Sequence, residues 1–131
     1  MTLFFTTGGG SSYGKLTVNN GVTINLSAPE TSSAGGTPGV LLWGDRNWND
    51  TSQNVYFDSN GITKLEGYLY FPTTGMIVAN GGVVQTGSGN YLAIVVDNLT
   101  VNGGASLTMP SEDYSHVTGG NPTKSGMSLV E

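Results

Sequence analysis

The chain contains no cysteine, which excludes disulfides, thiolate metal sites and thiol nucleophiles. Charge is almost as scarce, with 4 basic and 9 acidic residues among 131 and a formal net charge of −5. Lys15, Arg46, Lys64 and Lys124 are too few and too scattered to neutralise a phosphate backbone or grip an anionic bilayer. Nucleic acid and electrostatic membrane contact are therefore excluded as partners. The single histidine, His116, lies in the polar, turn-rich stretch "PSEDYSHVTGGNPTKSG", so any Ser-His-Asp chemistry would rest on a residue that reads as surface. No stretch approaches the ~20 apolar residues that cross a bilayer, and "MTLFFTTGGG" has neither the basic leader nor the apolar run of a signal peptide. Helical periodicity is missing too: Gly or Pro interrupts every window of apolar groups at three and four spacing.

What is present is glycine, 21 of them, among many Asn, Thr and Ser. The apolar residues between them come in compact packets such as "LFF", "VLLW", "YLYF" and "IVV", which is the pattern of many short strands rather than of disorder. The spacing predicts strands at 3–6, 16–18, 22–27, 39–44, 54–57, 62–64, 67–71, 76–79, 82–85, 91–97, 99–101 and 105–109. The length fits one domain over 1–131. Beginning directly in a strand, the chain reads as a piece of a longer, membrane-anchored protein, with 111–128 as a polar C-terminal loop or cap.

Two all-β architectures use short strands and glycine corners: a short right-handed parallel β-helix (a solenoid) and, as the alternative, a β-sandwich of hairpins. Three features favour the solenoid. "GVLLWG", "EGYLYF" and "YLAIVV" are apolar on both faces, as buried parallel strands are. Packets 40–43, 68–71 and 93–96 follow one another at steps of 28 and 25 residues, a plausible turn of a three-faced coil, and predict one inward column of Leu41, Leu69 and Ile94. Finally, "KLTVNNGVTINLSAP" (15–29) and "NLTVNGGASLTMP" (98–110) are near copies. They read as the second and third sides of one coil, used at both ends of the stack, with Leu16, Val18, Ile24 and Leu26 inward. Gly supplies positive φ at the corner, and Pro29, Pro72 and Pro110 stop pairing where the chain leaves the stack.

The phrases "TLFFTTGGG", "NLSAP", an aliphatic-aromatic strand running into "DR", "LEGYLYFP" and the terminal "SLVE" also carry a family resemblance. Together they resemble the C-terminal extracytoplasmic domain of TadG-like, Tad/Flp pilus-associated bacterial proteins, over most of the chain from Thr2 to Met109. That resemblance implies a parallel β-helix in an extracytoplasmic, cell-envelope or surface setting, with an N-terminal membrane anchor elsewhere in the protein. It implies a structural role and supplies no catalytic residues.

Chemistry-bearing residues concentrate in "WGDRNWND". Asp45, Asn47 and Asn49 echo the start of a calcium loop, but Asp50 stands where that loop needs Gly and Tyr56 where it needs Glu. The loop reads better as a polar exit from a strand, with Arg46 paired to Asp45 or Asp50. If it binds anything, Trp43, Asp45, Arg46, Trp48 and Asp50 are the candidates, Trp and Arg being the residue types that dominate binding hot spots. Aligning the strands sets Glu66 roughly 20 Å and Asp97 roughly 10 Å from Asp45, both wider than a glycosidase acid pair. The expectation is a non-enzymatic module without cofactor or metal. Its partner would be another protein or a second copy docking on the solenoid end at Leu3, Phe4 and Phe5, and a glycan is possible. The alternative function is a carbohydrate-active or carbohydrate-binding β-helix.

Overall fold

The computed structural model describes residues 1–6, 15–32, 36–47, 55–58, 60–87, 91–109 and 115. Among them there are eleven strands and no α-helix, hence no helix long and apolar enough to cross a membrane. The strands are β1 (Leu3–Phe5), β2 (Thr17–Val18), β3 (Thr23–Ser27), β4 (Val40–Gly44), β5 (Val55–Phe57) and β6 (Ile62–Phe71). They continue with β7 (Met76–Val78), β8 (Val83–Thr86), β9 (Leu92–Val96), β10 (Leu99–Val101) and β11 (Ser106–Thr108).

Every strand pairing among the described residues is parallel, so the antiparallel hairpins of a sandwich do not occur there. The pairings form three ladders. The first holds β1, β4, the C-terminal half of β6 and β9. The second holds β2, β5, β7 and β10. The third holds β3, the N-terminal half of β6, β8 and β11. The chain visits first, second and third ladder in that order four times, making four tiers. The two near-copies supply the second and third ladders of the first tier (β2, β3) and of the last (β10, β11).

One expected boundary was wrong. The stretches 62–64 and 67–71 are not two strands but a single ten-residue β6 that serves two ladders. Gly67, at φ +132°, turns the chain inside the strand, and its N–H still donates to the Tyr91 carbonyl at 3.0 Å. The Glu66-Gly67 pair reads as a break in sequence because a charge and a glycine interrupt the apolar run.

Side chains alternate about each ladder, and the inward ones form the core. In the first ladder Leu3, Leu42, Leu69 and Ile94 stack in register. The expected column of Leu41, Leu69 and Ile94 therefore has Leu42 in place of Leu41. A bulge between Val40 and Leu42 inserts Leu41 as an extra residue, a device that leaves it unpaired and bends the strand. Leu41 is nonetheless fully buried. In the neighbouring column Gly44 lies between Phe5 and Phe71. With no side chain between them, those rings meet at 5.6 Å across the gap. In the second ladder Val18, Phe57, Val78 and Val101 share one inward column, and in the third Ile24, Thr63, Val84 and Leu107 do.

The corner between the second and third ladders explains the repeated Asn-Gly wording. Three residues after Val18, Phe57, Val78 and Val101 stand Gly21, Asn60, Gly81 and Gly104, with φ of +72°, +54°, +78° and +78°. A left-handed residue is needed at the same place in each tier, and Gly or Asn is what adopts it at least cost. The turns close through Val22 N–H to the Asn19 carbonyl, Gly82 N–H to Ala79 and Ala105 N–H to Asn102. Asn80 Nδ2 also donates to Asp58 Oδ1 at 2.7 Å, tying two tiers together at this edge. Pro29 and Pro72 follow the ends of β3 and β6, as expected of residues that stop a ladder.

Candidate functional site

The outward face of the first ladder is not solvated in the ordinary way. Phe4, Trp43, Tyr70 and Val95 lie in register on that face. Val40, Tyr68, Tyr91 and Ala93 form a second apolar cluster with Tyr70, against which Trp43 and Val95 pack. The Trp43 and Tyr70 rings stack at 4.3 Å with 28° between their planes, and Tyr68 and Tyr70 lie 6.0 Å apart. Burial, and secondarily the neighbouring Tyr70, raises the hydroxyl pKa of Tyr68.

The "GDRN" turn delivers polar groups to the open side of this face. Arg46 Nε donates to Tyr70 Oη at 3.0 Å, and its guanidinium carbon lies 5.9 Å from that ring's centre, at the outer limit for cation–π attraction. Arg46 was expected to pair with Asp45 or Asp50; among the described residues, which do not include Asp50, its partner is Tyr70, 24 residues away and one tier across. Asp45 Oδ1 instead accepts from the Asn47 backbone N–H at 2.9 Å and from Asn47 Nδ2 at 3.1 Å, a local turn that fixes the loop. Phe4, Thr6, Trp43, Asp45, Arg46 and Asn47 line one open cleft of about 360 Å³.

Of the expected loop residues, Trp43, Asp45 and Arg46 thus share one site, while Trp48 and Asp50 lie outside the described residues, as do His116 and nearly all of 111–128. The three residues expected at the docking end divide. Leu3 and Phe5 are partly buried against the core, and only Phe4, 57% exposed, points outward, where it joins the Trp43 cleft. Sequence reasoning missed Tyr70, whose partners come from a neighbouring strand. The apolar packets 40–43 and 68–71 were the available signal, but straight alignment sets Trp43 against Phe71, because the bulge at Leu41 shifts the register by one residue.

Sequence reasoning also missed a polar corner on the third ladder. Glu66, read from sequence as lying before its strand, is inside β6 and buried. Ser27, its register partner, donates Oγ–H to Glu66 Oε2 at 2.9 Å. On the other side the carboxylate lies over Gly87, where a Cβ would overlap Glu66 Oε1. The buried Tyr91 hydroxyl has its pKa pushed up to about 12, first by burial and then by the carboxylates of Glu66 and Glu30. Among the described residues there is no group of three or more His, Cys, Asp or Glu arranged to hold a metal. Asp97 stands at a corner, its N–H donating to the Thr74 carbonyl and its Oδ2 accepting from Asn98 Nδ2.

The other end of the stack exposes two inward positions, and the 111–128 segment read as its cap lies, except for Ser115, outside the described residues. Leu99 and Val101 pair with Met76 and Val78, both fully buried inward residues, yet are themselves 46% and 43% exposed. No protein-family model, no curated protein and no solved structure matches this chain.

Proposed function

We propose that the four tiers are the turns of a short right-handed parallel β-solenoid, which serves as a non-catalytic, extracytoplasmic structural and binding module. Three ladders visited in constant order, all with parallel pairing, support the solenoid. The right hand follows from the strong preference of parallel crossovers for that sense. The envelope setting, and association with a Tad/Flp pilus, rest on the resemblance of "TLFFTTGGG", "NLSAP" and "LEGYLYFP" to TadG-like proteins.

The observation that carries the binding role is the Phe4–Trp43–Tyr70 face with Arg46 anchored on Tyr70. Large rings held rigid by stacking, beside an oriented guanidinium, are the residue types on which protein partners concentrate binding energy. The test is co-sedimentation with purified Flp pili. The wild-type chain pellets with the pili, whereas Trp43→Ala and Arg46→Ala, folded by circular dichroism, remain in the supernatant. A wild-type chain that stays in the supernatant at every pilus concentration contradicts the pilus assignment.

The exposed Phe4 ring beside Trp43 favours a second reading, in which the same face stacks on sugar rings. Quenching or blue-shift of tryptophan fluorescence by soluble oligosaccharides, lost in Trp43→Ala, selects that reading.

A further inference from the structure

We infer that the two ends of the stack fit each other, so that a second copy of this chain seats its β1–β2–β3 tier on the β9–β10–β11 tier of the first and extends all three ladders head to tail. The inference rests on the solenoid reading above and names a partner for its ends.

The last tier is an unfinished core. Leu99 and Val101 point inward by register, but no described residue lies over them as they lie over Met76 and Val78, and Met109 beyond β11 is 44% exposed. At the first tier Val18 is buried, while Leu3, Phe5, Leu16, Ile24 and Leu26 are only partly so. Each end thus offers apolar area that one more tier would cover.

Chemistry matches across the junction. Continuing the observed registers by one tier sets Thr17 over Thr100, Val18 over Val101 and Ile24 over Leu107, with Leu16 over Leu99 beside them. Like residues in register are the favoured arrangement for stacked parallel strands. The near-copy of sequence between the two ends is what produces this match. Within one molecule those residues never meet, because two tiers separate them.

The described terminal strands also carry no guard of their own against pairing. Exposed strands are normally kept from pairing by charges, prolines or bulges. None of the six terminal strands carries a charged residue or a proline. The strand charges sit instead on a middle tier, at Lys64 and Glu66. No like charges therefore face each other across a head-to-tail junction. A contact between two identical ends would be two-fold symmetric and would reverse strand direction, losing the parallel register; the head-to-tail contact keeps it and does not close.

Sedimentation velocity of the 131-residue chain over a wide concentration range tests this. The wild type is expected to grow in mass with concentration without a plateau. Val101→Asp blocks the last tier and Ile24→Asp the first, so each alone should be monomeric, and their mixture should give a one-to-one dimer and nothing larger. A wild type that stays monomeric while retaining its β signal overturns the inference and leaves the solenoid standing, whereas a wild type without β signal overturns both. A dimer of Ile24→Asp alone overturns it in favour of identical-end pairing. Monomeric chain that binds Flp pili through Val101 overturns it in favour of a different partner.

Should the Asp variants fail to fold, the outward pair Thr17→Cys with Thr100→Cys leaves the core untouched. Within one copy these positions are three tiers apart, roughly 14 Å at ~4.8 Å per tier, beyond the ~7 Å limit for a disulfide. Across the junction they are direct neighbours. Oxidation should give a ladder of covalent multimers on a non-reducing gel; monomer alone would refute the contact.

Discussion

Replacing Gly67 by alanine tests how the chain turns between ladders without a loop. At φ +132° an L side chain is strained, at a cost of about 1–3 kcal/mol. The added methyl would also stand 2.6 Å from the Ala28 Cβ, 2.9 Å from the Leu41 Cβ and 3.1 Å from the Gly39 carbonyl oxygen. Carbon atoms in contact prefer ~3.5–4.0 Å. Ala28 and Leu41 are both buried and cannot swing into solvent, so relieving the overlap means moving β4 or the turn after β3. Overpacking of this kind costs about 1–3 kcal/mol. The two effects together come to about 4 kcal/mol, a large part of the ~5–15 kcal/mol that holds a typical domain folded. Equilibrium urea unfolding followed by far-UV circular dichroism reads this as a lower midpoint at unchanged slope. Gly21→Ala is the matched control: φ is +72° but nothing lies within 4 Å of the added methyl, so only the backbone cost of about 1–2 kcal/mol remains. If Gly67→Ala loses no more stability than Gly21→Ala, the close packing of β3, β4 and β6 around this corner is wrong.

Leu69→Ala should cost about 2–5 kcal/mol in the same unfolding assay, because Leu69 is fully buried between tiers, whereas Leu99→Ala in dilute monomer should cost under about 1 kcal/mol. Tyr91 holds its proton to about pH 12 in the folded chain, against an ordinary value of 10.0. Its contribution is fully present below pH 10 and is lost as pH rises toward 12, since only the unfolded chain ionises there. Two pH units correspond to roughly 2–3 kcal/mol, which should vanish from the alkaline limb of the wild-type stability curve and be absent from that of Tyr91→Phe.

The strand order was legible because each apolar packet is bounded by residues that cannot continue a ladder. Packets 68–71 and 93–96 were aligned in the register the structure has. Packet 40–43 was aligned correctly only at Val40, because the bulge at Leu41 leaves no mark on an apolar run where Val40, Leu41 and Leu42 are all buried. The near-copies at 15–29 and 98–110 pointed to equivalent sides of the first and last tiers, and their Asn-Gly corners share one positive-φ column. Contacts between tiers were not legible. Arg46 reaching Tyr70, and Glu66 set between Ser27 and Gly87, depend on registers linking residues 20 to 40 positions apart. Charge proximity along the chain instead suggested Asp45 or Asp50 for Arg46. Leu3, Phe4 and Phe5 were read together as the docking end; alternation in the strand sends Phe4 outward and turns its two neighbours toward the core.

Because the chain has no cysteine of its own, engineered cysteine pairs measure ladder register directly. Asn25, Lys64, Gln85 and Thr108 form one column of the third ladder, one residue from each tier. Asn25→Cys with Lys64→Cys, and Gln85→Cys with Thr108→Cys, each bring together neighbouring tiers ~4.8 Å apart, inside disulfide range. Asn25→Cys with Gln85→Cys skips a tier, at ~10 Å, and lies outside it. Four parallel tiers predict rapid oxidation of both neighbouring pairs in dilute protein, with the skipping pair remaining reduced. A folded protein in which either neighbouring pair stays reduced, or in which the skipping pair closes as readily, contradicts the account.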